Sequence, residues 1–245
     1  MRPRRLRETA KRALRIPAIL RRRAPVALAE RGGWRRLFLE TSRYVSAGIC
    51  LSSPAARRYC VGHGLEIGGA AHNPFDLESI NVDVTDSLET VFKREELALC
   101  GSAMPVDLVA PGDDLPVPDE SQDFVVSSHV LEHFPNPAKA LLEWDRVVKP
   151  GGTIFMIVPH RDRTWEAGLP RTTLEHLVRD YDADSRGPRG EPMGHNHVWV
   201  TQDIVELIEW MKKRFGLHWE ILEVQDTDDK VGNGFAVAIR KLAPR

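Results

Sequence analysis

GLEIGGA, at residues 64–70, is a short apolar run that leads directly into a glycine turn. A run of this length predicts a buried β-strand, and the adjacent glycines predict a tight turn at its carboxyl end. Because glycine has no side chain, a ligand can approach the backbone of such a turn closely. By itself a glycine turn is weak evidence for a ligand site, so the interpretation depends on the residues on either side.

Strand-length apolar runs alternate with helical patterns from this point onward. The predicted strands are Leu65–Ile67, Ile80–Val84, Val106–Val109, Phe124–Ser127 and Thr153–Val158, and the predicted helices between them are Leu88–Leu99 and Ala138–Val148. Thr201 is predicted to cap a further helix, and Ile221–Val224 with Phe235–Arg240 to form a closing hairpin. The alternation predicts an α/β fold, a Rossmann-like seven-stranded mostly parallel sheet with helices on both faces.

Four further elements follow the glycine turn in a fixed order. Asp83 ends the next predicted strand, where a carboxylate can accept two hydrogen bonds from a ribose diol. The others are GDDLP at 112–116, DFVVSSH at 123–129 and VKPGG at 148–152. The ordered series, over residues 64–159, resembles the class I S-adenosylmethionine (SAM) methyltransferases, particularly those that act on small molecules.

The resemblance implies a set of residues that bind SAM. Asp83 would hold the ribose hydroxyls, and Asp113 or Asp114 the adenine amine. The complete implied set is Glu66, Gly68, Gly69, Ala70, Asn73, Asp83, Val84, Asp113, Asp114 and His129. Ala70 and His72 depart from the family pattern, which often has glycine at both positions. An NAD(P) dehydrogenase is the rival interpretation, but the chain lacks GxGxxG and a separate substrate domain.

Methyl transfer to a hydroxyl requires a base or a metal ion to remove the proton. The sequence HVLEH at 129–133 is predicted to open a helix, which would place His129, Glu132 and His133 at neighbouring positions of one face. With His160 after the fifth strand, these residues form a candidate site for a divalent ion, Mg²⁺ by resemblance. The alternative is that Glu132 and His133 serve only as hydrogen-bonding groups at the start of the helix.

Four histidines are candidate catalytic residues, namely His133, His160, His195 and His197. An unperturbed imidazole titrates near neutrality, which suits proton abstraction. His195 and His197 lie in a predicted loop after the Gly- and Pro-rich segment 182–194 and could fold over the acceptor. Each is equally consistent with a surface or hydrogen-bonding role, and His176 is consistent with helix packing.

The region between residues 161 and 181 is rich in arginine, aspartate and aromatic residues. Trp165, Tyr181 and Trp199 could stack on a sugar ring while charged groups bind its hydroxyls. This stretch is similar to methyltransferases of glycan biosynthesis. We therefore expect a SAM-dependent O-methyltransferase acting on a saccharide or glycoside hydroxyl. A lipid, a quinone or a nucleic-acid end is the alternative acceptor, and a non-catalytic SAM-binding subunit is the alternative role.

Charge divides the chain into two expected regions. Residues 1–36 carry 13 Lys and Arg against Glu8 and Glu30, whereas the rest has a net charge of −12. We expect a basic helical extension at 1–45 and a catalytic domain at 46–245 with a cap insertion at about 161–198. The extension is consistent with a solvated tail or with contact to a membrane surface or an acidic partner.

Partners and compartment are expectations of the same kind. The catalytic half lacks a basic stripe with interleaved aromatic residues, which disfavours nucleic acid as a partner. A homodimer follows only from the resemblance. Three cysteines without a CxxC pair, together with the lack of a signal sequence, favour a reduced, cytoplasmic setting.

Overall fold

The computed structural model describes residues 53–185 and 195–244. Its strands are β1 (Gly64–Ile67), β2 (Ser79–Asp83), β3 (Leu108–Val109), β4 (Gln122–Ser128), β5 (Val148–Pro159), β6 (Trp219–Gln225) and β7 (Gly234–Lys241). They form one sheet in the order β3-β2-β1-β4-β5-β7-β6. The five strands from β3 to β5 are parallel, and β7 is antiparallel to both β5 and β6. The predicted Rossmann-like sheet is thereby confirmed.

The helices cover the two faces of the sheet unequally. They are α1 (Pro54–Tyr59), α2 (Val91–Cys100), α3 (Pro137–Val147), α4 (Leu174–Asp182) and α5 (Thr201–Phe215). One face forms a large core with α3, α4 and α5, in which Trp144 and Leu207 are fully buried. The opposite face packs Phe124 and Phe155 against Phe75 and α1. Apolar side chains on both faces explain why β4 and β5 are continuous hydrophobic runs.

The order of the strands reverses between β1 and β4, and this reversal locates the site. In a parallel sheet, ligands bind beside the carboxyl ends of the strands at such a switch point. The residues that follow β1, β2, β4 and β5 are the glycine turn, Val84, His129 and His160. These residues all belong to the carboxyl edge of the sheet.

Two local predictions are wrong. The segment HVLEH does not open an α-helix, because only Leu131–His133 form a single 3-10 turn. Pro135 disfavours helical backbone at Phe134, and His129 is in the left-handed region at φ 55°. Thr201 does not cap α5 either: the Asp203 carboxylate accepts the Val200 N–H at 2.8 Å instead, while the Thr201 hydroxyl donates to Asp226.

Some expectations lie outside the described residues. These are the basic extension at 1–45 and most of the loop at 182–194, of which 186–194 are not described. The described part of residues 161–198, where a cap insertion was predicted, contains a 3-10 turn at Arg161–Arg163 and α4. Within 53–185 and 195–244, no helix has the length and apolar character needed to span a bilayer.

Candidate functional site

The glycine turn after β1 is closely surrounded by side chains. Gly68 has φ 66°, a conformation that favours glycine, and a Cβ there would meet the Val130 side chain at 2.7 Å. A Cβ on Gly69 would meet Asn81 Oδ1 at 2.5 Å, because the Gly69 N–H donates to that atom at 3.0 Å. Both positions therefore require glycine, because a side chain there would collide with Val130 or Asn81.

Glu96 and Lys93 on α2, which were not predicted, fix the far end of this turn. The Glu96 carboxylate accepts the N–H of Ala71 and that of Met104. Lys93 lies 3.1 Å from Glu96 and 3.8 Å from Asp83. Both side chains are buried, so the pair joins α2 to the turn and to the end of β2. An i,i+3 pair of opposite charges is the only sequence signal, and it is usually a surface feature.

Glu66 supports the turn from inside the protein. Its side chain is buried beside Gly69. The carboxylate accepts the Phe75 N–H at 3.4 Å and the Ser79 hydroxyl at 3.2 Å. Glu66 is therefore positioned to hold the loop that follows β1.

Asp83 ends β2, as predicted, and its side chain is 25% exposed. Partial burial raises the pKa of this carboxyl group, although nearby Lys93 opposes the rise. Val84 beside it is exposed, and Asp113 and Asp114 lie in the turn after β3, where the Asp114 N–H donates to Pro111. Partly exposed carboxylates that follow β2 and β3 are groups that fit a ribose and an adenine amine.

Asn73 links the turn to the opposite end of the chain. It donates to the Ser128 hydroxyl at 3.1 Å, and its side-chain oxygen accepts from the buried ammonium of Lys230, which also donates to the Pro74 carbonyl at 2.9 Å. The loop that carries Lys230 is held by Asp228, whose carboxylate accepts four backbone N–H groups. Asp228 and Lys230 were not predicted, since nothing local in the sequence relates them to a segment about 150 residues away.

A histidine–glutamate cluster, formed by Glu132, His133, Glu166 and His195, lies beyond β4. His195 Nδ1 is 2.7 Å from Glu166 Oε1. His195 Nε2 and His133 Nε2 are 3.8 and 3.7 Å from Glu132 Oε1. Glu166 was not predicted, because a single glutamate in a polar loop carries no distinctive pattern.

Both carboxylates of this cluster are buried, but only that of Glu166 has a hydrogen-bond partner. The two oxygens of Glu132 have none among the described residues. Burial raises the pKa of Glu132 to about 8, and the charge of Glu166 adds to the rise. A buried carboxyl without a partner is costly to ionise, so the cluster is suited to a compensating positive charge.

The group of possible metal ligands in the structure differs from the predicted one. Potential ligand atoms of Glu132, His133 and His195 lie within 4.8 Å of one another, and neither His129 nor His160 belongs to this group among the described residues. Burial lowers the pKa of His129 to about 4, and its ring has Asp228 and Asn233 as neighbours. The left-handed backbone of His129 turns it away from the positions of a helical face.

His160 and His197 are engaged in local structure. His160 caps the 3-10 turn after β5, with Nδ1 accepting the Asp162 N–H at 3.2 Å, and burial lowers its pKa. His197 is buried, donates from Nε2 to the Phe134 carbonyl at 3.0 Å and stacks on Trp199. Burial lowers the pKa of His197 to about 4.

Of the predicted catalytic histidines, the structure brings His133 and His195 together.

One of the three predicted aromatic residues is available to an acceptor. Trp165 is 70% exposed, and its ring centroid is 5.4 Å from that of His195. Trp199 is buried, and Tyr181 packs against Trp210 and Phe215. Phe92, which was not predicted, is exposed and contacts the ring of His133.

Known proteins share this sequence pattern. Residues 61–156 match the family model described as a methyltransferase domain. An uncharacterized protein of Methanocaldococcus jannaschii is 35% identical over 159 residues, which cover 62% of this chain and 73% of that protein. The ubiquinone/menaquinone biosynthesis C-methyltransferase UbiE of Geotalea daltonii is 26% identical over 152 residues, which cover 60% of this chain and 58% of that enzyme.

Solved structures share the fold. This chain is similar to a chain of the complex between the Haloferax volcanii Trm112 methyltransferase activator and a methyltransferase, with a TM-score of 0.50 and 14% identity. The similarity covers 86% of this chain and 94% of that chain. A SAM-dependent methyltransferase of Methanosarcina mazei has a TM-score of 0.47 and 20% identity, with 78% of this chain and 98% of that chain covered. The solved structures thus show the fold, and by the family model residues 61–156 of this chain belong to the methyltransferase domain family.

Proposed function

We propose that this methyltransferase transfers a methyl group from SAM to a hydroxyl of a saccharide or glycoside, with His195 as the base. The observation that carries the proposal is the pair formed by Glu166 and His195 beside the exposed Trp165. His195 lies 3.8 Å from Glu132, which follows β4 at the carboxyl edge of the sheet, and at this edge we expect an acceptor to meet the methyl donor.

Glu166 orients His195 for proton abstraction. A carboxylate can only accept, so the contact of 2.7 Å means that His195 Nδ1 carries a hydrogen and donates it. Nε2 then has a free lone pair. The buried negative charge of Glu166 stabilises the imidazolium that forms when Nε2 takes the hydroxyl proton. Glu166 is thus a positioning residue, and His195 is the catalytic residue.

SAM, when bound, supplies an activated methyl group on a sulfonium that is already an excellent leaving group. The glycine turn and Asp83 have only to hold the donor, and the cluster has to hold the acceptor oxygen in line with the methyl carbon. Most of the rate enhancement is therefore expected from alignment, with proton removal by His195 as the second contribution.

A divalent cation fits the same cluster. Glu132, His133 and His195 would hold it, and the buried, unpartnered oxygens of Glu132 would gain a compensating charge. Such an ion lowers the pKa of a bound hydroxyl. Two imidazoles are poor ligands for Mg²⁺ and better ones for Mn²⁺ or Zn²⁺. The donor chemistry thus favours a softer ion than the Mg²⁺ that the sequence suggested.

Trp165 supports a saccharide as the acceptor. An exposed indole ring beside the base offers a flat apolar surface for a sugar face, and the exposed Phe92 contacts the ring of His133 in the same cluster. A quinol could stack on the same ring. Because of the similarity to UbiE, quinols are the alternative acceptor class to be tested beside saccharides.

The test is a methyl-transfer assay with labelled SAM on a panel of glycosides, nucleotide sugars and quinols, with and without EDTA. We expect turnover on a saccharide. His195→Gln is expected to lower kcat by about 10²–10⁴-fold, with SAM affinity unchanged. His218→Gln is the matched control, since His218 is an exposed histidine next to the start of β6.

Each arm has an outcome that contradicts part of the proposal. Turnover on quinols alone would overturn the acceptor class. Full activity of His195→Gln would remove His195 from the chemistry. Loss of activity with EDTA, with recovery on Mn²⁺, would assign the activation of the hydroxyl to the ion and make His195 a ligand.

A further inference from the structure

A second group of histidine and carboxylate side chains lies on α4, apart from the histidine–glutamate cluster. His176 and Asp180 are one turn apart on this helix, with His176 Nε2 3.2 Å from Asp180 Oδ2. His197 comes from the segment before α5, and its ring centroid is 6.0 Å from that of His176. Potential ligand atoms of the three residues lie within 4.8 Å of one another.

His197 has the hydrogen bonding of a metal-binding histidine. Its Nε2 is 3.0 Å from the Phe134 carbonyl oxygen, which can only accept, so Nε2 carries the hydrogen. Metal-binding histidines usually donate their second ring nitrogen to a carbonyl or carboxylate in this way. Nδ1 is then unprotonated, and it is buried without a hydrogen-bond partner. Such a buried polar atom calls for an explanation, and a bound ion provides one.

The ring of His197 is also held in place. It is nearly parallel to the indole of Trp199, at 10° and with a centroid distance of 5.1 Å. The other two side chains are more accessible, with 50% exposure for His176 and 20% for Asp180. One fixed, buried ligand and two accessible ones give an ion both a rigid attachment and a path from solvent.

We propose that His176, Asp180 and His197 bind a divalent transition-metal ion, with Zn²⁺ as the first choice. Two imidazoles and one carboxylate suit Zn²⁺, Co²⁺ and Ni²⁺ and do not suit Mg²⁺ or Ca²⁺. The bound ion joins α4 to the segment that also carries His195. This site shares no residue with the histidine–glutamate cluster, so it does not depend on the proposed function.

An ordinary interpretation makes the opposite prediction. His176 and Asp180 then form an i,i+4 ion pair at the surface, of little energetic value, and His197 is a packing residue. In that case Zn²⁺ affinity does not depend on His176 or Asp180.

The experiment is equilibrium dialysis of the full chain against Zn²⁺, with metal content measured by mass spectrometry. We compare the wild type with His176→Asn, Asp180→Asn and the control His63→Asn, whose histidine is also exposed and next to an acidic side chain. Because His176 is accessible, His176→Asn is expected to fold, which circular dichroism checks. Glu132→Gln removes a ligand of the other cluster and separates the two sites.

We expect the wild type and Glu132→Gln both to retain one Zn²⁺ that His176→Asn and Asp180→Asn lose, with a rise in Kd of at least about tenfold. Zn²⁺ at about 100 times Kd is expected to raise the Tm of the wild type by about 5 °C or more, and Mg²⁺ to have no such effect. Unchanged Zn²⁺ affinity in both α4 variants, or no Zn²⁺ bound by the wild type, would overturn the proposal.

Discussion

Glu132 is the residue of the histidine–glutamate cluster whose burial is most unfavourable for stability. Its carboxyl group is fully buried, and neither oxygen has a hydrogen-bond partner in the described part of the chain. A protein normally avoids this arrangement, because ionising such a group without compensation is unfavourable. Residues of this kind are retained where function needs them, and the price is a loss of stability in the ligand-free protein.

The pKa of Glu132 sets the sign of the first prediction. A carboxyl group whose pKa is raised by folding contributes stability below its unfolded value, near 4.5, and that stability is lost as the pH rises to about 8. Glu132→Gln is therefore expected to stabilise the metal-free protein at pH 8 by up to about 4 kcal/mol. Urea unfolding at pH 8 measures the effect. Glu206→Gln, at an exposed position on α5, should change little; an equal effect there would contradict the assignment.

Asp83 carries the second prediction. Asp83→Ala removes a carboxylate that is placed to accept two hydrogen bonds from the SAM ribose, so the Kd for SAM is expected to rise roughly 100-fold. Calorimetric titration is the measurement, and Asp86→Ala is the matched control, because Asp86 is exposed three residues further on. Wild-type SAM affinity in Asp83→Ala would refute the ribose assignment.

Among the elements, the glycine turn after β1 makes the sharpest prediction. Gly68→Ala adds a Cβ to a left-handed residue and places it against Val130, so we expect a loss of about 2–3 kcal/mol and weakened SAM binding. Gly151 also has a positive φ but nothing within 4 Å of its Cβ position. Gly151→Ala is therefore expected to cost about 1 kcal/mol and to leave SAM binding intact. Equal SAM affinities in the two variants would contradict the role of the turn.

Periodicity predicts the elements that depend on local sequence. The apolar runs that became β1, β4 and β5 are strands because each can be buried from both faces, and Ile204, Leu207, Ile208 and Met211 are buried along one side of α5 as their spacing indicates. The turn at Leu131–His133 was missed because its geometry depends on the following Pro135 and on the backbone of His129.

The partners of site residues were harder to predict. Glu166 and His195 are 29 positions apart, and Lys230 and Asn73 are 157 apart. Such contacts follow from tertiary packing, which local patterns in a single sequence do not predict.

At the scale of the whole molecule, we expect two buried histidines and one buried carboxyl group to govern how stability depends on pH. Desolvation lowers the pKa values of His129 and His197 to about 4. Their neutral forms contribute stability that is present above the unfolded value of about 6.5 and is lost as the pH falls toward 4. Glu132 acts in the opposite direction and loses its contribution as the pH rises toward 8.

We therefore expect the metal-free protein to be most stable near pH 6.5. As the pH falls from 6.5 to 4, the two histidines lower the free energy of unfolding while Glu132 raises it. The net loss of stability is about 3 kcal/mol. Chemical unfolding at a series of pH values measures the curve, and His197→Gln should flatten its acid side. A stability maximum above pH 8 would show that these buried groups do not dominate.

The antiparallel pairing of β5 with β7 has a consequence for how the protein can be divided. The family match ends at residue 156, yet β5 forms hydrogen bonds with β7 from Thr153 to Pro159, and Lys230 supports the loop at Asn73. A fragment cut at that point would carry a long, apolar, unpaired edge strand, the usual starting point of aggregation. The modular unit for transplantation or fusion is therefore larger than the recognisable motif and includes the terminal hairpin.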